Sequence, residues 1–398
     1  MAALILAGGV IYTLPYLRQT FHRGLREALD LTNAELGNLN SLFGIVAMLA
    51  YFPGGWLADR VSARILLTGS LFATGVAGLW YAQFPSYEVM LGLHAFMGVS
   101  TILTFWAALI KATRAWGAGH EQGRAFGILD GGRGIVEATL AMMATALFAF
   151  FGSGADGLSV AIAMYAVAHL LAAVLVGVFA PDTQPTALPG AARSRRLWRE
   201  ALGMPVVWLH AGVIFFAYCA FWGTHDFNAF AVEGLDQSEV FGATLATFRT
   251  WLRPIAAVAA GVLADRLRSS TVIGASFLVA GAGFVALALH PRDALVLLWI
   301  DVAVIGLAVF ALRGIYYALL EEARIPMHLT GSTVGFISVL GYTPDIFIPQ
   351  LTGWLFDTYP GAEGHRYFYA LLAAGAVAGF ALTLAIRRHG RARVDETA

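Results

Sequence analysis

Long apolar runs alternate with short charged clusters along almost the whole chain. Runs near 4–20, 35–58, 65–84, 88–112, 124–150 and 158–180 are followed by a second set near 205–228, 239–264, 271–290, 294–319, 331–356 and 367–387. Each is close to the ~20 apolar residues that a helix needs to cross a hydrocarbon layer. Inside lipid a segment must satisfy its own backbone polar groups, which selects helix over irregular chain. The pattern therefore predicts twelve transmembrane helices. The longest polar stretch, 181–203, holds Pro181, Pro185 and Pro189 followed by Arg193, Arg195, Arg196 and Arg199. It reads as a linker between a six-helix half at 1–180 and a second at 204–387, with a short tail at 388–398.

Composition agrees with a lipid solvent. Hydrophobic residues make up 59% and charged residues 13% of the chain, against the roughly one-quarter charged residues of a soluble protein. Net charge is zero, so no global field favours nucleic acid. The lone Cys219 excludes an intramolecular disulfide. The first span begins almost at Met1 with no basic segment before it, so a secretory signal peptide is not expected.

Arginine placement sets the expected orientation. Arg60, Arg64, Arg114, Arg124, the 193–199 cluster, Arg266, Arg268, Arg324 and Arg387–Arg393 fall on one side of the predicted spans. Arg18, Arg23, Arg26, Arg292 and Arg366 fall on the other. By the positive-inside rule both termini face the cytoplasm.

The two sets of spans also look duplicated. Leu57-Ala58-Asp59-Arg60 recurs as Leu263-Ala264-Asp265-Arg266, each copy two residues after a glycine, Gly55 or Gly261. In the fifth and eleventh spans Gly123, Gly127, Glu137 and Leu147-Phe148 align with Gly331, Gly335, Asp345 and Leu355-Phe356. Internal six-span repeats with a binding site near their interface recur among secondary transporters.

Gly55-x-x-x-Asp59-Arg60, with Arg64 after it, and Gly261-x-x-x-Asp265-Arg266 resemble the two signature loops of the major facilitator superfamily. Ser62 and Ala63 depart from the usual pattern, and Arg268-Ser269-Ser270 depart further in the second copy. Tyr51-Phe52-Pro53-Gly54-Gly55-Trp56 and Gly341-Tyr342-Thr343-Pro344-Asp345 resemble the YihN-like bacterial branch of that superfamily. The resemblance implies an all-α membrane fold of two six-helix pseudo-repeats in a bacterial inner membrane. It implies too that Asp59 sits by the start of the eleventh span, near Gly331, and Asp265 by the start of the fifth, near Arg124. A carboxylate at a helix N-terminus is favourable by ~0.3–1 kcal/mol, so these contacts form a conformational-switch motif.

Charges within the spans are the chemical candidates, because ionisable groups there are costly and mark function by default. Asp130, Arg133 and Glu137 share one face of the fifth span, with Arg133 and Glu137 spaced to pair. Glu137 and Asp345 are the proton-coupling candidates, with structural pairing to Arg133 or another arginine as the bland reading. Arg249 and Arg253, one turn apart in the eighth span, repel unless each meets a carboxylate or an anion. Pro344 and Pro349 predict a kink or break in the eleventh span. Arg313 is close enough to the inner surface to snorkel, and His225-Asp226 reads as a plain surface pair, with pH sensing or pairing with Arg18 as the alternatives.

Substrate-binding candidates are Arg133, Arg249 and Arg253 with the aromatics Tyr12, Tyr16, Trp106, Trp222 and Tyr342, whose faces and polar tips suit polar organic solutes. For each aromatic, plain helix packing is the competing reading. Counting Arg133, Arg249, Arg253 and Arg313 against Glu137, Asp301 and Asp345 leaves one cation in surplus, which favours an anionic or strongly polar solute. There is no nucleotide-binding loop, metal-ligand cluster or hydrolase motif. The expectation is a monomeric secondary transporter, proton-coupled and without cofactor or enzymatic activity. A facilitative uniporter, an anion exchanger or a non-transporting sensor would share its outline.

Overall fold

The computed structural model describes residues 1–116, 122–180, 199–323, 325 and 330–395. The side chains of Asp59, Arg124 and Asp265, the positions Gly55, Gly123, Gly127, Gly331 and Gly335, and most of the expected linker lie outside the described residues.

Every described element is helical. The order is α1 (Ala2–Val10), α2 (His22–Leu29), α3 (Asn33–Arg60), α4 (Ala63–Tyr81) and α5 (Tyr87–Gly98), which runs through a π-helical stretch at Val99–Trp106 into α6 (Ala107–Trp116). Then come α7 (Gln122–Phe150), α8 (Ala155–Phe179), α9 (Pro205–Gly223), α10 (Glu239–Arg266), α11 (Ser269–Ala288) and α12 (Leu295–Ile315). The last are α13 (Thr330–Gly341), α14 (Pro344–Thr358) and α15 (Ala362–Asp395). No strand occurs among the described residues.

Among the described residues, eight helical stretches are long and apolar enough to cross a membrane. They coincide with the expected third to seventh, ninth, tenth and twelfth spans. The other four expected spans are built differently. α1 ends after nine residues and continues as turns through residue 20. α3 and α10 each run 28 residues and carry polar groups and an internal proline, Pro53 and Pro254. The eleventh is two helices, broken at Tyr342-Thr343 just before Pro344, where the sequence predicts a break. Local chemistry sets these ends: Thr32 and Glu35 form a reciprocal capping box on α3, and Pro205 occupies the first turn of α9.

The chain forms two compact units. Unit 1 contains Met1–Ala187, His225–Pro254 and Asp345–Gly364, and unit 2 contains Leu188–Thr224, Ile255–Pro344 and His365–Ala398. The backbone passes between them at Thr224/His225, Pro254/Ile255, Pro344/Asp345 and Gly364/His365. Two of these four junctions fall at prolines that interrupt helix hydrogen bonding.

Within unit 1 one core gathers Phe21, Phe43, Tyr81, Phe148 and Tyr165, and a second gathers Leu4, Ile11, Leu67, Phe105 and Val176. Unit 2 is built on Val207, Ile214, Phe277, Leu312, Ile337 and Ile386. Large apolar side chains such as Phe150, Val296 and Phe179 stand almost fully exposed, as lipid-facing positions do.

Close backbone approach locks α14 onto α3. A Cβ on Gly44 would lie 2.6 Å from the Asp345 carbonyl oxygen, and one on Gly353 would lie 2.5 Å from that of Asn33. Gly37 meets the Pro349 carbonyl in the same way. Small residues that let helix backbones touch are a membrane packing device, because lipid offers no hydrophobic driving force.

Candidate functional site

The central charges of unit 1 are held by α7 and α10. Arg253 donates from Nη2 to Asp130 Oδ1 at 2.8 Å and from Nη1 to Glu137 Oε2 at 3.0 Å. One guanidinium thus spans two carboxylates seven residues apart on α7. Glu137 pairs with Arg253 rather than with Arg133, the partner its spacing suggested. The reason is geometric: Arg133 turns the other way, into the bundle, where its Nε donates to the Gly8 carbonyl at 3.0 Å. Its guanidinium lies 5.4 Å from the Trp106 ring centroid, a favourable cation–π geometry, and reaches Asp130 only at 3.9 Å.

Exposure separates the two arginines. Arg133 is buried, whereas the Asp130 side chain is 49% and the Glu137 side chain 35% exposed. Asp130 stands near the start of the apolar stretch Ile128–Phe150, where an exposed carboxylate is costly unless water reaches it. Trp106 continues into an aromatic row: Tyr12 lies 6.5 Å away, Tyr16 6.2 Å from Tyr12, and Phe43 5.4 Å from Tyr16. Tyr12 is within electrostatic reach of Arg133 and Asp345. Asp345 itself occupies the first turn of α14.

Gly8 makes room for Arg133, since a Cβ there would come within 2.6 Å of the arginine Cδ. Gly8→Val is expected to expel the guanidinium from its slot between Gly8 and Trp106, at the ~1–3 kcal/mol typical of overpacking. Melting temperatures of the wild type and Gly8→Val measure this. An unchanged melting temperature would mean that Gly8 is not what makes room for Arg133.

Arg249 resolves the like-charge problem by turning aside. Its Nη2 donates to Gln19 Oε1 at 3.1 Å and to Thr250 Oγ1 at 3.4 Å, leaving the α7 carboxylates to Arg253.

Unit 2 carries a separate polar cluster. The Tyr342 hydroxyl lies 3.1 Å from those of Tyr316 and Tyr317, and Tyr317 is 2.7 Å from Ser338 Oγ. The Tyr342 ring packs 4.8 Å from Tyr218, and Trp222 is buried in the same unit. Arg313 does not snorkel: its guanidinium sits 3.7 Å from the Phe221 ring centroid and 5.4 Å from that of Tyr218. Two rings offer it a better partner than a distant surface.

At the Arg60 end of α3, Arg60 folds back over the Trp56 ring at 4.1 Å. Arg64 Nε donates to the Ala180 carbonyl at 2.8 Å, capping α8, and Lys111 Nζ donates to the Ala58 carbonyl at 2.8 Å. Cations at helix C-termini are favourable. Gly261 has open space around it, and Arg266 is exposed.

The opposite end of α3 holds an ionic network that is buried at Arg18, His22 and Asp226 and reaches the surface at Arg26 and Asp357. Arg18 pairs with Asp226 at 3.5 Å and donates to Thr352 Oγ1 at 3.0 Å. Arg26 pairs with Glu233 at 2.8 Å. Asp357 accepts the backbone N–H groups of Asn33 and Ala34 at 3.0 and 2.7 Å. Asn228 accepts from His22 N and donates to the Thr20 carbonyl. His225 and Asp226 are thus buried, not a surface pair, because the first-half segment at 17–34 covers them. Glu233, Asp357 and Lys111 were not legible as functional positions; their partners lie far away in sequence, and no local spacing marks them. Among the described residues no group of His, Cys, Asp or Glu is placed to hold a metal.

The sequence profile of the Major Facilitator Superfamily matches residues 1–349. Inner membrane protein YihN of Escherichia coli strain K12 is 29% identical over 388 residues, covering 94% of this chain and 92% of that protein. Inner membrane protein YqcE of the same strain is 27% identical over 400 residues, covering 96% and 93%. The crystal structure of a bacterial homologue of the human lysosomal transporter Spinster, inward-facing and unoccupied, superposes with a TM-score of 0.78 at 15% identity over 97% of this chain and 96% of that one. That likeness speaks for the fold. With its helical architecture, eight apolar spans and full-length relatives in a bacterial inner membrane, the chain belongs to the Major Facilitator Superfamily of transporters.

Proposed function

We propose that the protein is a secondary transporter that moves a small polar or anionic organic solute by alternating access, in symport with protons. The observation that carries this reading is the sharing of Arg253 between Asp130 and Glu137. An anion can recruit Arg253 only if a carboxylate releases it, and in this reading Glu137 releases it by taking up a proton. Solute and proton then bind together. Breaking the ion pair in the absence of either ligand leaves an uncompensated charge, so the empty carrier keeps the pair and a leak is avoided. Buried Arg133, with Trp106 and Tyr12 beside it, supplies a second anchor for the solute. Tyr16, Arg249, Trp222 and Tyr342 belong to the same reading as further binding residues, and Asp345 as the second proton site.

The architecture proposed with it is twelve spans in two six-helix repeats, with α1, α3, α10 and the α13–α14 pair completing the eight apolar spans. The halves are 1–180 and 204–387, joined by 181–203 and followed by the 388–398 tail. The protein works as a monomer in the inner membrane with both termini cytoplasmic, so Arg60 and Arg64 lie inside and the Arg18 network outside. Asp59 and Asp265, with Gly55, Gly261, Arg60, Arg64 and Arg266, form the switch on the cytoplasmic side.

The test is uptake into proteoliposomes, after a thermal-shift screen of sugars, carboxylates, amino acids and phosphate esters identifies a solute. An inward proton gradient is expected to drive accumulation of that solute and a protonophore to abolish it. Glu137→Gln is expected to retain counterflow exchange while losing gradient-driven accumulation. Uptake indifferent to the gradient would replace symport by a uniporter or anion exchanger. Binding without any uptake would make the chain a sensor.

A further inference from the structure

His22 sits at the centre of the Arg18 network, 1% exposed. Arg18 Nε donates to His22 Nδ1 at 3.2 Å. A guanidinium can only donate, so Nδ1 presents its lone pair and the ring proton is on Nε2. Nε2 then donates to Asn33 Oδ1 at 2.7 Å, with Glu233 Oε1 beyond at 3.7 Å. In this arrangement the imidazole is neutral, and its neutrality is what lets Arg18 stand beside it.

We propose that His22 is a proton-binding site that controls this latch: protonation of Nδ1 opens the contacts that tie residues 17–34 to residues 226–233 and 352–357. The proposal rests on the alternating-access reading above, in which these contacts must break in every cycle. A proton on Nδ1 sets a donor against the Arg18 donor and places two positive charges in contact. Arg18 is the link to Asp226 and Thr352, so displacing it releases both.

The surrounding charges support that direction. Glu233, from the segment after α9, would attract an imidazolium, but Arg26 of α2 already holds it at 2.8 Å. Asp226, from the same segment, is held by Arg18 itself. Asp357 of α14 is committed to the Asn33 and Ala34 N–H groups at the start of α3. Glu239 of α10 meets the Gly24 backbone and the Asn228 side chain, and through Asn228 stands one residue removed from His22. Asn33 and Asn228 are neutral and accept or donate regardless of pH. His225, Asp226, Glu233 and Glu239 also titrate around this network, and a proton on Asp226 loosens Arg18 too. His22 differs from them because its protonation turns an acceptor of the Arg18 N–H into a competing donor.

The experiment is a spin-label distance measurement on the full chain in lipid nanodiscs. Labels go on Glu27→Cys and Ser238→Cys in a Cys219→Ser background, both label sites being exposed. At about pH 8 one short distance is expected. As the pH is lowered from about 8 to about 5, a longer distance should rise from under ~10% at the expense of the short one. His22→Gln, whose amide oxygen can accept from Arg18 and whose NH2 can donate to Asn33, should stay short at both values. Arg18→Gln should be long at both, because the link to Asp226 and Thr352 is gone and no guanidinium remains for a protonated Nδ1 to displace. A wild-type distribution that ignores pH would overturn the proposal, as would a pH response retained in either variant. No transported solute is needed, so a protein that opens with acid but does not transport would sink the transport reading and leave this one standing.

Discussion

Arg253→Gln is expected to lower solute uptake about a hundredfold, or ~2.7 kcal/mol at ~1.4 kcal/mol per decade. The change removes both Arg253 ion pairs at once, taking from Glu137 its 3.0 Å arginine and leaving Asp130 the longer 3.9 Å approach of Arg133. Removing one partner of a fully buried pair costs ~3–5 kcal/mol. Here the carboxylates are 49% and 35% exposed, so water softens the penalty and folding stability should fall by only about 1–2 kcal/mol. The larger loss is in transport, because Arg253 is both the proposed anchor of the solute and the group that reports Glu137 protonation to it. Arg253→Lys keeps the charge but cannot span two carboxylates in a planar fork, and should retain weak uptake with poor coupling. Adding Glu137→Gln to Arg253→Gln should restore thermal stability without restoring uptake, the non-additivity expected of groups in direct contact. Initial uptake rates and melting temperatures of the four proteins decide it. Arg253→Gln with near-normal uptake would end the role of the shared arginine.

What sequence made legible here follows how local each cause is. Apolar runs mark helices because crossing lipid is a property of one segment, and eight of the spans answer to that reading directly. The break before Pro344 is equally local, since a proline removes its own N–H and restricts the residue before it. The face shared by Asp130, Arg133 and Glu137 was visible from spacing alone. Their partners were not. Arg133 could reach Glu137 along its own helix, yet Gly8 opens a slot that draws it inward and Arg253 arrives from α10. The network around Arg18 was hidden for the same reason: Asp226, Glu233, Thr352 and Asp357 lie hundreds of residues from their partners. Arginine counts put Arg18 on the expected outer side, but counting cannot say that it is buried.

Gly44→Leu is expected to be the most damaging single change to the fold of unit 1. A Cβ at position 44 would lie 2.6 Å from the oxygen and 2.8 Å from the carbon of the Asp345 carbonyl. Both atoms are backbone, so no rotamer change relieves the clash, and the two helices must separate. Overpacking typically costs ~1–3 kcal/mol, and Gly44→Ala alone should reach that range. The added isobutyl group should push Gly44→Leu past it and strip α14 from α3 along the stretch where Gly37 meets Pro349 and Gly353 meets Asn33. Two functional consequences follow from the same displacement. Asp345, fixed in the first turn of α14, leaves the neighbourhood of Tyr12. Thr352 and Asp357 leave Arg18 and the start of α3, so the latch loses its α14 side. Gly44→Ala should therefore lower the melting temperature in detergent and, in the spin-label pair at positions 27 and 238, raise the open population at about pH 8, where histidines are neutral. Gly69→Ala is the control, since a Cβ there meets open space and should change neither. If Gly44→Ala melts and opens as the wild type does, the tight α3–α14 contact is not what holds Asp345 and the latch in place.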